Sequence, residues 1–200
     1  MTTDALPHTG EPLAVELLNT VRLVDGRAVD AFETDAEVAD WLRAMEPRVG
    51  VVPGTHLAEG PLLAAAPRVR RLRDAARQLA AESVSDPRPA VTPEVGDHAV
   101  AVATVNAEAA SWVQLDWPAA ARPGRVLATH GDAVDLVVNA LGREVISLLT
   151  SDHQRLRPCL APSCAHFFWK QARREWCSPA CGNRARVARH YQRHHANGRR

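Results

Sequence analysis

The stretch Cys159-Leu-Ala-Pro-Ser-Cys164-Ala-His-Phe-Phe-Trp-Lys-Gln-Ala-Arg-Arg-Glu-Trp-Cys177-Ser-Pro-Ala-Cys181 contains every cysteine of this 200-residue chain, in the spacing C-x4-C-x12-C-x3-C. Two close pairs a dozen residues apart suit a tetrahedral metal site. Each pair spans one edge of the tetrahedron, and the intervening loop folds back to join them. Thiolate is a soft ligand, so structural Zn2+ is the expected cofactor, held at roughly 2.3 Å by the sulfurs of Cys159, Cys164, Cys177 and Cys181. Four thiolates leave no open coordination position, which points to a mount rather than a reactive centre.

Two disulfides would need an oxidising compartment. The N-terminal Met1-Thr-Thr-Asp-Ala-Leu-Pro-His8 has neither the basic nor the apolar region of a secretory signal. No apolar run approaches the length of about 18 residues that a membrane span requires. A cytoplasmic protein with no membrane partner is therefore expected. An iron–sulfur cluster also takes four thiolates, but the spacing matches no ferredoxin pattern.

The net charge of +1 conceals a division. Residues 1–156 carry 14 Arg against 22 acids, a net of −8, whereas residues 157–200 carry nine Arg and one Lys against the single acid Glu175, a net of +9. Such segregation suggests that the basic end meets a polyanion. The preference for Arg over Lys carries less weight, because the Ala-rich composition suggests a high-GC genome.

Around the second cysteine pair, Ser178 suits an N-cap and Pro179 a first helical position, which predicts a helix to about His195 with Cys181 in its first turn. At about 100° per residue, Cys181, Ala185, Val187, Ala188 and Tyr191 share a broad face towards the metal. Arg186, Arg189 and Arg193 cluster opposite, and Arg184, expected to join them in contacting nucleic acid, projects on the metal side, where it also offsets thiolate charge. Lys170, Arg173 and Arg174 extend the positive surface from the loop. A solvated face or an acidic protein partner would also accommodate these cations, but a single-sign face without carboxylates favours nucleic acid, DNA before RNA. Phe167, Phe168, Trp169 and Trp176 supply a small core for a module too short to build one otherwise.

Upstream, apolar spacing predicts a helix over Pro12–Val24, a second opened by the capping box Thr34-Asp-Ala-Glu37 and ending near Pro47, and a loop from Gly50 to Gly60. A third helix follows to Glu82, burying Val69, Leu72, Ala76 and Leu79. A fourth opens at Thr92-Pro93, and a strongly apolar helix runs from Asp132 to Leu149. Trp112–Trp117 alternates as a half-buried strand and pairs with Arg125–Thr129 in a hairpin. Asn19 and Asn106 fall on apolar helical faces, where bonding between helices is expected. Arg70, Arg73 and Arg77 flank the apolar face of their helix and are expected to snorkel along its edge. His190 and His194 share a helix face but lack the glutamate of a metalloprotease motif. The predicted fold is mainly α with a small β-hairpin. A helical domain spans residues 1–150, a linker 151–157, and a treble-clef-like finger 158–200.

The run Arg155-Leu-Arg-Pro-Cys159, with Cys164 and Arg174-Glu-Trp-Cys177-Ser-Pro-Ala-Cys181-Gly-Asn-Arg184, resembles the CGNR zinc finger, named for residues 181–184. Leu13–Val21, the Asp35…Trp41-Leu42 helix and Val105-Asn106 are similar to the ABATE domain of bacterial stress-induced transcription regulators. Between Cys164 and Cys177, Phe-Phe-Trp-Lys-Gln replaces the finger's usual Phe-x-Asp-x-Ser stretch. The resemblance implies a DNA-binding finger and a regulatory protein. No Gly-rich phosphate loop, nucleophile elbow or carboxylate pair stands out in the sequence, so no enzyme is expected, and the N-terminal domain is expected to sense a small-molecule effector or form a homodimer. The alternative is an N-terminal domain that binds or converts a small molecule, with the finger serving protein or RNA contact.

Overall fold

The computed structural model describes residues 9–49, 57–119, 122–151 and 153–197, without the side chains of 153 and 194–197. Its elements run α1 (Leu13–Leu18), β1 (Val21–Val24), β2 (Arg27–Asp30), α2 (Asp35–Val49), α3 (Glu59–Ser83), α4 (His98–Ala107), β3 (Trp112–Asp116), β4 (Gly124–Ala128), α5 (Ala133–Thr150), a 3-10 turn (His153–Arg155), β5 (Leu156–Pro158), β6 (Phe167–Trp169) and α6 (Pro179–Asn197). The described residues are mainly helical, with three two-stranded antiparallel sheets where the sequence predicts one hairpin. No helix among the described residues is long and apolar enough to cross a membrane.

The 25-residue α3 is the axis, packed against α1, α2, α4 and α5. It buries Val69, Leu72, Ala76 and Leu79, and α5 opposes it with Val137, Val138, Leu141 and Val145. Asp132 caps α5 by accepting from the Val134 and Asp135 N–H groups, and Asp135 reaches back to the Asp132 N–H. The Thr34–Glu37 capping box forms at α2 in the same way, and the helix runs two residues past Pro47. The predicted loop over 50–60 lies outside the described residues as far as 56, and α3 already begins at Glu59. Where Gly142 of α5 meets the chain leaving α4, a Cβ would lie 2.4 Å from the Glu108 carbonyl oxygen. Gly142→Ala is expected to cost about 1–3 kcal/mol by overpacking. Urea denaturation measures this, and an unchanged midpoint would show that the Glu108 loop yields freely.

Four expectations are corrected. The first helix ends at Leu18, and the rest of its predicted length is the β1–β2 hairpin. Asp25 and Gly26 both take positive φ (50° and 77°), which matches the strand twist of a tight two-residue turn. Secondly, α4 starts at His98, capped by Asp97 rather than Thr92. The Gln78 side chain holds the preceding segment extended, accepting from Val95 N–H and donating to the Gly96 carbonyl. Thirdly, the β3 strand is exposed along its whole length, with Leu115 65% accessible, as is Trp117 just after it at 63%. Two paired strands with no third layer over them among the described residues cover neither face. Fourthly, Arg73 and Arg77 do not snorkel. They are 2% and 7% exposed, Arg73 on Asp30 and Arg77 on backbone carbonyls.

Candidate metal centre and basic helix

The first cysteine turn closes through the Cys159 N–H, which donates to the His166 carbonyl at 2.9 Å, with Ser163 at φ 54°. In β6 the side-chain period of two sends Phe167 and Trp169 into the helical core, while Phe168 joins Cys159, Cys164 and Cys181 in a second cluster. The strand is thus the common wall of two cores, and the aromatic trio does not belong to the finger alone. All three rings are at most 9% exposed. Trp176 packs on the cysteine cluster from the other side.

The four sulfurs lie within 4.8 Å of one another. Metal–sulfur bonds of about 2.3 Å in a tetrahedron give sulfur–sulfur edges of about 3.8 Å. The separations are 3.6 Å for Cys164–Cys177, 3.3 Å for Cys177–Cys181 and 3.7 Å for Cys164–Cys181. No disulfide links them. This donor set fits one tetrahedral metal ion. Ser178 Oγ accepts from the Cys181 N–H at 3.2 Å, so the cap that starts α6 also places the fourth ligand. Arg184 Nη2 donates to Cys181 Sγ at 3.0 Å, putting a positive charge beside the thiolates.

Without a cation the thiols cannot all ionise. Hydrogen bonds from Cys164 and then Cys177 hold the Cys159 thiol far below its usual range. Cys164 is pushed up to about 12 by donating to Cys159, and Cys177 is raised by its bonds to Cys159 and Cys164. At neutral pH at least the protons of Cys164 and Cys177 must leave as metal enters. Metal affinity should therefore fall with acidification, by at least about two logarithmic units per pH unit near neutrality. Chelator competition across neutral pH measures the slope, and a value at or below about one would contradict this proton count.

The finger is bound to the helical core by residues far away in sequence. Asn19 Nδ2 donates to the Phe167 carbonyl at 2.9 Å, and Asn19 Oδ1 accepts from the Phe167 N–H at 2.8 Å. This replaces the helix–helix bond expected of Asn19, while Asn106 is exposed. Glu11 Oε2 accepts from the Trp169 N–H at 2.9 Å, and its Oε1 forms an ion pair with Arg174 at 2.5 Å. Arg88 Nη1 reaches three carbonyls of the cysteine turn, those of Cys159, Cys164 and His166, at 3.3, 3.2 and 2.8 Å. Asp86 chelates Arg88 Nε and Nη2 from behind. The Ser85–Pro89 stretch reads locally as a turn and carries no sign of this, because each contact to the finger spans 71 residues or more. A charged pair inside a proline-flanked turn was the single local signal.

The structure sorts the predicted basic surface. Arg186, Arg189 and Arg193 are exposed, as are Lys170 and Arg173. Arg186 donates to Asn183 Oδ1, and Arg189 to the Ala185 carbonyl. Arg174 is turned inward, donating to the Trp176 and Cys177 carbonyls at 3.1 and 2.6 Å and lying over the Phe168 ring. Cys181 and Ala185 are buried, but Val187 and Tyr191 are 54% and 62% exposed, contrary to the predicted metal-facing stripe. The finger core covers only the first turns of α6, and the later turns project beyond it. His194 lies outside the described side chains.

A family model described as ABATE, "Putative stress-induced transcription regulator", matches residues 11–152, and a second, "CGNR zinc finger", matches residues 155–194. No curated protein matches the chain.

Proposed function

We infer that this chain, which belongs to the ABATE family and ends in a CGNR zinc finger, is a cytoplasmic, non-enzymatic transcription regulator whose zinc-mounted α6 binds DNA. The observation that carries the reading is the exposed single-sign face of Arg186, Arg189 and Arg193 on a helix whose first turn holds a metal ligand. Lys170 and Arg173 extend that face. Arg174 and Arg184 act on the near side, as a tie to Glu11 and a partner of Cys181. Zinc fits the four-sulfur donor set better than harder metals, and its part is structural. The buried Phe167, Phe168 and Trp169 offer no stacking surface, which favours duplex DNA over single-stranded RNA. The N-terminal domain senses an effector or mediates dimerisation, since one finger touches too little DNA for specificity by itself.

Fluorescence anisotropy with a pool of random duplex DNA at two salt concentrations tests this. The triple variant R186A/R189A/R193A is expected to bind at least about tenfold more weakly, with the salt slope reduced by about 0.9 for each phosphate left unneutralised. Binding that survives both chelation and the triple substitution would sink the reading.

A further inference from the structure

Between α3 and the first cysteine turn lies an open cleft of about 360 Å³, at the lower end of the range that holds small-molecule ligands. One wall is the C-terminal half of α3 at Arg77, Gln78 and Ala81, and a second is the 86–94 segment. The facing wall is the cysteine turn itself, including Leu160 and Cys164. The body is apolar, with Leu23, Ala81, Val91, Leu160 and Phe167 contributing side chains.

At the inner end of the cleft Arg77 forms no ion pair with any described residue, although Asp74 and Asp86 lie near enough to favour its charge. Arg77 is 7% exposed, its hydrogen bonds go to the Leu18 and Ala165 carbonyls, and its guanidinium lies 5.5 Å from the centre of the Phe167 ring. The neighbouring acids are engaged by other guanidiniums: Asp86 chelates Arg88, and Asp74 accepts from Arg73. Burial, with the charges of Arg88 and Arg73, brings Arg77 down to about 10, so it remains cationic at neutral pH. An unpaired buried charge is costly, and an anion at hydrogen-bonding distance relieves it. The Thr92 and Ser163 hydroxyls, which line the same cleft, bond to no described residue. On the solvent side, the exposed Glu82 and Glu94 disfavour a second negative charge.

We propose that this cleft binds a small apolar monocarboxylic acid, with its carboxylate on Arg77 and its hydrocarbon body against Val91, Leu160 and Phe167. The ligand touches the helical core and the metal-bearing turn together, so its occupancy reports to the finger. This identifies the effector site of the regulator proposed above and rests on that reading.

The test uses the full-length, zinc-loaded protein and calorimetric titration with benzoate, phenylacetate, 3-methylbutanoate and indole-3-acetate. Each is carried to about 10 mM, beyond the range where a millimolar site saturates, beside the corresponding primary amide. At least one acid is expected to bind, with about tenfold or greater preference over its amide, as loss of a charge-assisted pair implies. Arg77→Met also removes the ties to Leu18 and Ala165, so the deciding variant is Leu160→Trp. Leu160 is 56% exposed, and the indole fills the cleft without touching the core. Leu160→Trp should retain its metal and its thermal midpoint while losing at least about tenfold in acid affinity. The proposal is overturned if no acid binds, if the amides bind as well, or if Leu160→Trp binds unchanged. DNA binding without acid binding would remove the cleft and leave the regulator reading standing. Acid binding without DNA binding would do the reverse.

Discussion

Replacing Cys164 with serine will destabilise the helical domain as well as the finger. A three-sulfur site holds the metal poorly, and without metal the cysteine turn is left with the Arg88 clamp and the Cys159 N–H bond alone to close it. The loss then propagates, because residues 156–174 are built into the main core. Leu156 and Phe167 are buried there at 0% and 1% exposure. Asn19, Glu11, Arg77 and Arg88 all end on this segment. Each apolar side chain re-exposed costs about 1.5–3 kcal/mol, and each buried polar group left without a partner about 1–3 kcal/mol. A net loss of about 5 kcal/mol would lower the melting temperature by about 10–20 °C in a domain of this size. Calorimetry of C164S should show one broadened, lowered transition, and chelation of the wild-type protein should reproduce it. Two transitions, the upper at the wild-type temperature, would show that the helices fold independently of the metal.

Arg88→Ala should cost about 3–5 kcal/mol, the range for removing one member of a buried ion pair. It strands Asp86, whose side chain is 6% exposed, and leaves three carbonyls of the cysteine turn without their shared donor. Arg88→Lys should recover less than half of the loss, since an ammonium cannot chelate Asp86 and reach the turn in the same geometry. The exposed Arg43–Asp40 pair is the internal control, and Arg43→Ala should change stability by less than about 1 kcal/mol. Beyond stability, Arg88→Ala should release metal to a chelator faster than wild type, because the clamp closes the turn that carries Cys159 and Cys164. An R88A protein with wild-type stability and metal release would show that the clamp is ornamental.

The elements that were legible in the sequence are those whose signals are local. The capping box at Thr34 and the apolar period of α5 each involve residues within a turn or two. The Asp25-Gly26 turn was equally local, a two-residue hairpin signal between Val24 and Arg27, but the apolar spacing of Leu13, Leu17 and Val21 outweighed it and prolonged α1. At α4 two caps competed, Thr92-Pro93 and Asp97. The winner was set by Gln78, which ties down Val95 and Gly96 from another helix. Alternation in Trp112–Trp117 identified a strand but could not say what, if anything, covers it.

The metal ligands are local in the same sense. Spacing alone determined that four sulfurs would meet, because a tetrahedral site needs only two short turns and a loop between them. Spacing and composition also placed an arginine face on the helix that carries Cys181 in its first turn. Only the tertiary structure decided what the metal supports. Which face of β6 meets which core depends on register with β5 and on docking against α1, and Asn19, Glu11 and Arg88 reach the finger from more than 70 residues away. Contacts over such distances leave no periodic trace, since a side chain satisfied by a remote carbonyl looks in sequence like one satisfied by water.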